Sequence, residues 1–220
     1  MNDLLLPSRS MFERDGFFLL RTGCSAQLLE QLQNSVANID GPGQRQFDEA
    51  GAPIDRILSE PKIESYLDCF LGVGFFRVRT IVFDKTPDAN WGVPPHRDTT
   101  ICVQQKVDVA GFGPWSVKAG VPHVQPPSEV LDSMVTIRVH LDDATRDTGG
   151  LLVWPGSHKM EEQVWSHEDA VQCEAKAGDV LFMRPRLVHA SGKMIISGRR
   201  RIVHIELANR ELPGRLDWRR

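Results

Sequence analysis

From residue 75 onward the sequence breaks into short β-rich runs separated by Gly, Pro and Asp, which constrains the fold more than any other feature. The runs cover 75–83, 98–103, 134–141, 151–154, 180–183, 187–190 and 201–207. Strands this short and this regularly punctuated argue for an antiparallel sandwich or barrel rather than an alternating α/β sheet. The first third has a helical texture. Ser25 caps a helix whose Leu28, Leu29, Leu32, Val36 and Ile39 form one apolar stripe. A second helix fits 61–71, with Pro61 in its first turn and Gly72 just past its end. Residues 11–20 read as a turn entering a first strand, and the Gly- and Pro-rich 41–53 as a loop. The fold class is mainly β with flanking α-helices. At 220 residues the chain reads as one domain, 1–220, with helical support over about 1–74 and a β core over about 75–210.

Chemistry concentrates at Trp91-Gly92-Val93-Pro94-Pro95-His96-Arg97-Asp98-Thr99-Thr100. On an extended strand residues two apart share a side, so His96 and Asp98 can reach one metal ion together. Two prolines do not fit inside a central strand, which places the pair where a strand begins. A third ligand is needed, and His189 is the candidate. Arg200 follows on the next strand in sequence, where a hairpin-like pairing would set it a little deeper than the metal. Alternation groups Arg200 with Ile202 and His204, while Arg201 goes with Val203, Ile205 and Leu207, a set that should pack under the helices. Two His and one carboxylate leave three adjacent positions open, the pattern suited to non-haem Fe(II) and O2, whereas a structural zinc is closed by four ligands. A 2-oxo acid fills two of the open positions and O2 the third. Its far carboxylate then calls for a buried planar cation, the task given to Arg200.

Other constellations carry less. His167-Glu168-Asp169 lies in a charged segment without strand character, and His204 alternates within a strand as a buried, hydrogen-bonded histidine would. Residues 111–127 show little periodicity and read as a functional wall or lid, with Trp115, Lys118 and His123 as its chemically useful members. Trp91, Thr99 and Arg138 join these three as candidates for lining the substrate pocket.

Composition narrows the partners. A net charge of −3 leaves no polyanion footprint, so nucleic acid is not expected. No run reaches the roughly 18 apolar residues of a membrane span, and the first residues lack the build of a secretory signal. Four scattered cysteines without a Cys-x-x-Cys fit reduced thiols, and a cytoplasmic location is expected. Nothing in the sequence speaks to oligomeric state.

The segments FERDGFFLL, WGVPPHRD, DDATRDTGGLLVWPGSHK, AGDVLFMRPRLVHASG and RRIVHIEL together resemble the phytanoyl-CoA dioxygenase family of Fe(II)- and 2-oxoglutarate-dependent oxygenases. The resemblance runs over nearly the whole length. It implies a double-stranded β-helix, a jelly-roll relative of cupins, backed by helices. It also implies that His96, Asp98 and His189 hold iron, and that Arg200 and Ser191 hold the distal carboxylate of 2-oxoglutarate. His158, in the Pro155–His158 turn, would be structural. Arg97, where Gln is commoner in the family, would point away from the metal. The implied reaction is hydroxylation of a small organic or carrier-linked substrate, with release of succinate and CO2. Asp98 fills the place a halide would need, which disfavours halogenation. The chain is short for the family, and the resulting open mouth favours a sizeable or carrier-linked substrate. Two other classes compete: a jelly-roll binding module without turnover, and a zinc- or manganese-dependent hydrolase or isomerase using the same three ligands.

Overall fold

The computed structural model describes residues 2–39, 41–45, 47, 53–161 and 164–219. In chain order its elements are α1 (Asn2–Asp15), β1 (Phe17–Leu20), α2 (Ala26–Ser35), β2 (Gly43–Gln44), α3 (Ile54–Leu58), α4 (Pro61–Phe70), β3 (Phe76–Lys85), β4 (Val93–His96) and β5 (Ile101–Cys102). There follow β6 (Trp115–Lys118), β7 (Val121–Val124), α5 (Ser128–Asp132), β8 (Met134–His140), β9 (Leu151–Val153), β10 (Val171–Cys173), β11 (Val180–Met183), β12 (His189–Ser191) and β13 (Arg200–Ala208). All the pairings are antiparallel. A six-stranded sheet runs β1-β11-β8-β13-β3-β2, a four-stranded sheet runs β10-β9-β12-β4, and β5-β7-β6 form a third.

Alternation gives the large sheet two different faces. Outward-facing Val135, Ile137 and Val139 of β8, Phe182 of β11, and Val203, Ile205 and Leu207 of β13 meet Phe12, Leu28, Leu32, Ile63 and Leu67 of the helices in one buried cluster. The expected division of β13 holds. Phe182 stands at the centre of this layer, its ring 5.4 Å from that of Phe70 and 5.9 Å from that of Tyr66. Phe182→Ala is expected to destabilise the chain by about 3–5 kcal/mol, read as a lower urea midpoint. The other face packs on the four-stranded sheet, where Leu181 and Met183 meet Leu151 and Val153. The two sheets facing each other in this way make a jelly roll.

Several local expectations change. Residues 11–15 end a helix, α1, rather than forming a turn. Among its described side chains the buried apolar anchor is Phe12, stacked on Phe70, so no apolar period announces it. Gly16 then closes α1 at φ +83, where a Cβ would lie 2.4 Å from His158 Nδ1. Ser25 caps α2 as expected, its oxygen accepting from the Leu28 N–H. The 41–53 loop lies partly outside the described residues, and its described part contains β2. Residues 111–127 are no idle loop but carry the β6–β7 hairpin. None of the four cysteines is paired. Among the described residues no helix is long and apolar enough to cross a membrane.

Candidate metal centre

Both prolines lie inside β4, contrary to the expectation that a strand begins after them. Among the described residues β4 is an edge strand paired with β12, so one proline can turn its missing N–H to the free side, and the register shift between His189 and Ser191 makes room for the other. The strand ends at His96, which sits directly opposite His189 in the antiparallel register. The two rings therefore lie side by side, their centroids 4.2 Å apart. Asp98 follows the strand, and its backbone N–H donates to the Pro185 carbonyl at 3.0 Å, which ties it to the turn leading into β12.

Backbone carbonyls set the tautomers of both imidazoles. His96 Nδ1 lies 2.9 Å from the Pro94 oxygen and His189 Nδ1 lies 2.9 Å from the Leu187 oxygen. A carbonyl can only accept, so each Nδ1 carries the proton and each Nε2 offers its lone pair. Those lone pairs face Asp98: His96 Nε2 is 3.9 Å from Oδ1 and His189 Nε2 is 3.7 Å from Oδ2. Bonds of about 2.1 Å put adjacent donors of an octahedral ion roughly 3 Å apart, so a small inward rotation closes the set. Among the described residues these three are the one group of His, Cys, Asp or Glu whose donors gather within 4.8 Å. Burial pulls the His189 imidazole below its ordinary value, against the Asp98 carboxylate that raises it, and so favours the neutral, ligating form. The Asp98 carboxyl also sits below its ordinary value: burial opposes ionisation, but His189, His204, His96 and Arg79 outweigh it.

The cluster opens into a cavity of about 430 Å³ between the two large sheets. Its far wall is the inward row of the six-stranded sheet: Arg200, His204 and Glu206 of β13, Arg79, Ile81 and Phe83 of β3, and Arg138 of β8. Arg200 and His189 come from different sheets, so the expected hairpin-like pairing of β12 with β13 does not occur. The cavity brings them together instead. Arg200 is 3 % exposed, and among the described residues no hydrogen bond or ion pair holds its guanidinium; its buried Nε lacks an acceptor there. Burial and the Arg138 charge lower it to about 10.

Beside Arg200 in the β13–β3 register stands Lys85, a fully buried cation that the sequence reading passed over. Its Nζ donates to Ser191 Oγ at 3.3 Å and to the Gly192 carbonyl at 2.5 Å, and lies 5.2 Å from the Trp91 ring centroid. The signal for it was available: counting alternate residues along β3 from Arg79 through Ile81 and Phe83 arrives at Lys85. Burial, then Arg200 and Arg138, lower its ammonium to about 7.

Trp91, Thr99, Lys118 and Arg138 line the cavity, as expected of substrate-pocket candidates. Trp115 and His123 do not. The hairpin turns His123 inward, 3.0 Å from both Cys102 Sγ and an Arg79 nitrogen, while Trp115 packs on the Val103–Trp218 cluster. His204 is buried and bonded as expected, its Nδ1 accepting from Arg138 at 3.1 Å. It also belongs to the cavity wall, with Nε2 3.6 Å from Glu206. His158 is a structural contact of Gly16 and of the Glu13 carbonyl. The Arg97 guanidinium points away, donating to the Ser157 and Met160 carbonyls at 3.0 and 2.9 Å. His167 and Asp169 lie on a short exposed turn outside the cluster.

Comparison with known proteins agrees with this geometry. The family model described as phytanoyl-CoA dioxygenase (PhyH) matches residues 12–202. The peroxisomal phytanoyl-CoA dioxygenase of Rattus norvegicus is 21 % identical over 92 % of the chain and 68 % of its own length. The iron/alpha-ketoglutarate-dependent dioxygenase ausU of Aspergillus calidoustus is 43 % identical over 81 % of the chain, which spans 62 % of that protein. Among solved structures, the epimerase SnoN in complex with Fe3+, alpha ketoglutarate and nogalamycin RO superposes with a TM-score of 0.66 at 17 % identity. That match covers 98 % of this chain and 92 % of SnoN, and at this identity it speaks to the fold.

Proposed function

The chain belongs to the phytanoyl-CoA dioxygenase family of 2-oxoglutarate-dependent non-haem iron enzymes, and from that premise we propose that it hydroxylates a small organic or carrier-linked substrate. In the same turnover 2-oxoglutarate becomes succinate and CO2. The observation that carries this reading is Arg200, a buried guanidinium facing the cavity with no anionic partner among the described residues. Burying an unpaired charge is costly, and a carboxylate-bearing ligand would remove the penalty.

The residues fit the group that the family requires. His96, Asp98 and His189 offer two neutral nitrogens and one carboxylate from one side, the donor set of an open iron(II) site. Iron(II), when bound, supplies oxygen activation and the redox step. The chain's own part is to bind and orient. Arg200 takes the distal carboxylate of 2-oxoglutarate. Ser191 accepts from Lys85, so its hydroxyl hydrogen is free to donate to the same carboxylate. Lys85 adds a second charge to that clamp. Asp98 occupies the position a halide would need, which favours hydroxyl over halogen transfer. SnoN is an epimerase, so substrate chemistry is the finer point to test.

Lys85 makes the clamp sensitive to pH. Its ammonium is charged below about 7 and largely neutral above, and only the charged form attracts a carboxylate. Affinity for 2-oxoglutarate is therefore expected to be highest below about pH 7 and to fall as pH rises to 9, with proton uptake on binding near neutrality. Lys85→Met should flatten that fall. Titration calorimetry in buffers of different ionisation enthalpy reads both effects. Turnover itself is tested by supplying Fe(II), 2-oxoglutarate, O2 and candidate substrates. One succinate per substrate oxidised is expected, and substrate consumed without succinate would overturn the reading.

A further inference from the structure

A second buried guanidinium in this cavity also lacks a carboxylate partner among the described residues. Arg138 lies on β8, a central strand, opposite His204 of β13 and Leu181 of β11. It is 7 % exposed and lines the cavity. One of its nitrogens donates to His204 Nδ1, and its guanidinium carbon sits 5.5 Å from the Phe83 ring centroid. Its Nε has no acceptor, and among the described residues no acidic side chain lies within ion-pair distance of it. The two carboxylates among the described residues of the cavity are committed elsewhere, Glu206 to Arg79 at 2.9 Å and Asp98 to the two imidazoles.

Arg138 also belongs to the inward row of the wall that carries Arg200, paired across the sheet with His204. Its charge depresses Arg200 and Lys85 at the clamp, and it is felt by His189 at the metal cluster, where Asp98 in turn favours its charged form. A monoanion at the clamp would leave this second cation unpaired, whereas a dianion of the right length would pair both.

We infer that Arg138 is a second carboxylate site, holding the 1-carboxylate of the 2-oxo diacid while Arg200 and Lys85 hold the 5-carboxylate; this rests on the cosubstrate reading above. Recognition of the diacid then belongs partly to the protein and precedes any metal contact. The planar fork of Arg suits such a carboxylate, and it does not need to move when iron is absent.

The test uses the full chain, kept metal-free with a chelator, and two probes: 2-oxoglutarate, and 4-oxopentanoate, which has a methyl group in place of the 1-carboxylate. Dissociation constants are measured by calorimetry. The unaltered chain is expected to prefer 2-oxoglutarate by about tenfold or more, the size of one charge-assisted contact. Arg138→Gln should bring that ratio towards one while leaving 4-oxopentanoate affinity unchanged. Arg200→Gln should weaken both probes alike. Arg138→Lys keeps the charge without the fork and should retain part of the preference, so the ratio can be read even if Arg138→Gln folds poorly. An Arg138→Gln chain with the original preference would overturn the inference and point to a substrate anion at Arg138. Binding of neither probe to the metal-free chain would overturn this inference, whereas the cosubstrate reading fails only if 2-oxoglutarate also does not bind with Fe(II) present. Equal weakening by Arg200→Gln with an unchanged ratio in both Arg138 variants would remove this inference alone.

Discussion

Asp98→Ala is expected to abolish iron-supported turnover while leaving the fold in place. The substitution removes the acidic member of the cluster, and the two remaining imidazoles, 4.2 Å apart, offer too few donors to fix the ion. The loss should exceed the roughly 10- to 100-fold typical of removing a residue that merely supports a ligand. Stability should hardly change, because Asp98 is partly exposed and contributes to no apolar cluster; the melting temperature is expected to move by no more than about 4 °C. Metal content after dialysis, together with a thermal melt, separates the two effects. A variant that kept full iron and full turnover would show that the metal is held elsewhere.

Arg200→Ala should have the opposite pattern, with iron retained and cosubstrate lost. Truncating one partner of a buried charge pair costs about 2 kcal/mol or more, so the dissociation constant for 2-oxoglutarate should rise at least about 30-fold. The ligand-free chain should be as stable as before or more so, since an uncompensated buried charge has gone. The thermal shift caused by 2-oxoglutarate should shrink with the affinity. Normal affinity in this variant would mean that another of the three consecutive arginines does the work. The structure already commits those two: Arg199 to Asp84 at 2.6 Å and Arg201 to Asp142 at 2.8 Å.

The β-rich half of the fold was legible because its strands alternate. Residues 180–183 and 134–141 sit in β11 and β8 almost as read, and the split of β13 into an apolar outer set and a polar inner set followed from counting by two. Helices α2 and α4 were legible from their caps and stripes. α1 and α3 were not: one rests on the buried Phe12 and contains Pro7, and the other spans five residues. The cluster His96, Asp98 and His189 was legible as residue types at a spacing. Its cause was not, because the cross-strand pairing of His96 with His189 is a tertiary register that local sequence does not record. The same limit explains the errors. Arg200 was placed beside His189 through a hairpin that does not form, and reaches the cavity from the opposite sheet. His123 was placed in the pocket because 111–127 looked like a lid, whereas the hairpin buries it against Cys102. Lys85 was passed over because a charged residue at the end of an apolar run reads as a strand terminus facing solvent.

The central claim is that two imidazoles and one carboxylate hold iron(II) with adjacent positions left for a 2-oxo acid that Arg200 anchors. Mixing the chain with Fe(II) and 2-oxoglutarate in the absence of oxygen tests it directly. A weak visible charge-transfer band is expected, absent from Asp98→Ala and needing far more 2-oxoglutarate in Arg200→Ala. No band at any concentration of 2-oxoglutarate, from a chain that binds zinc or no metal at all, would contradict the account.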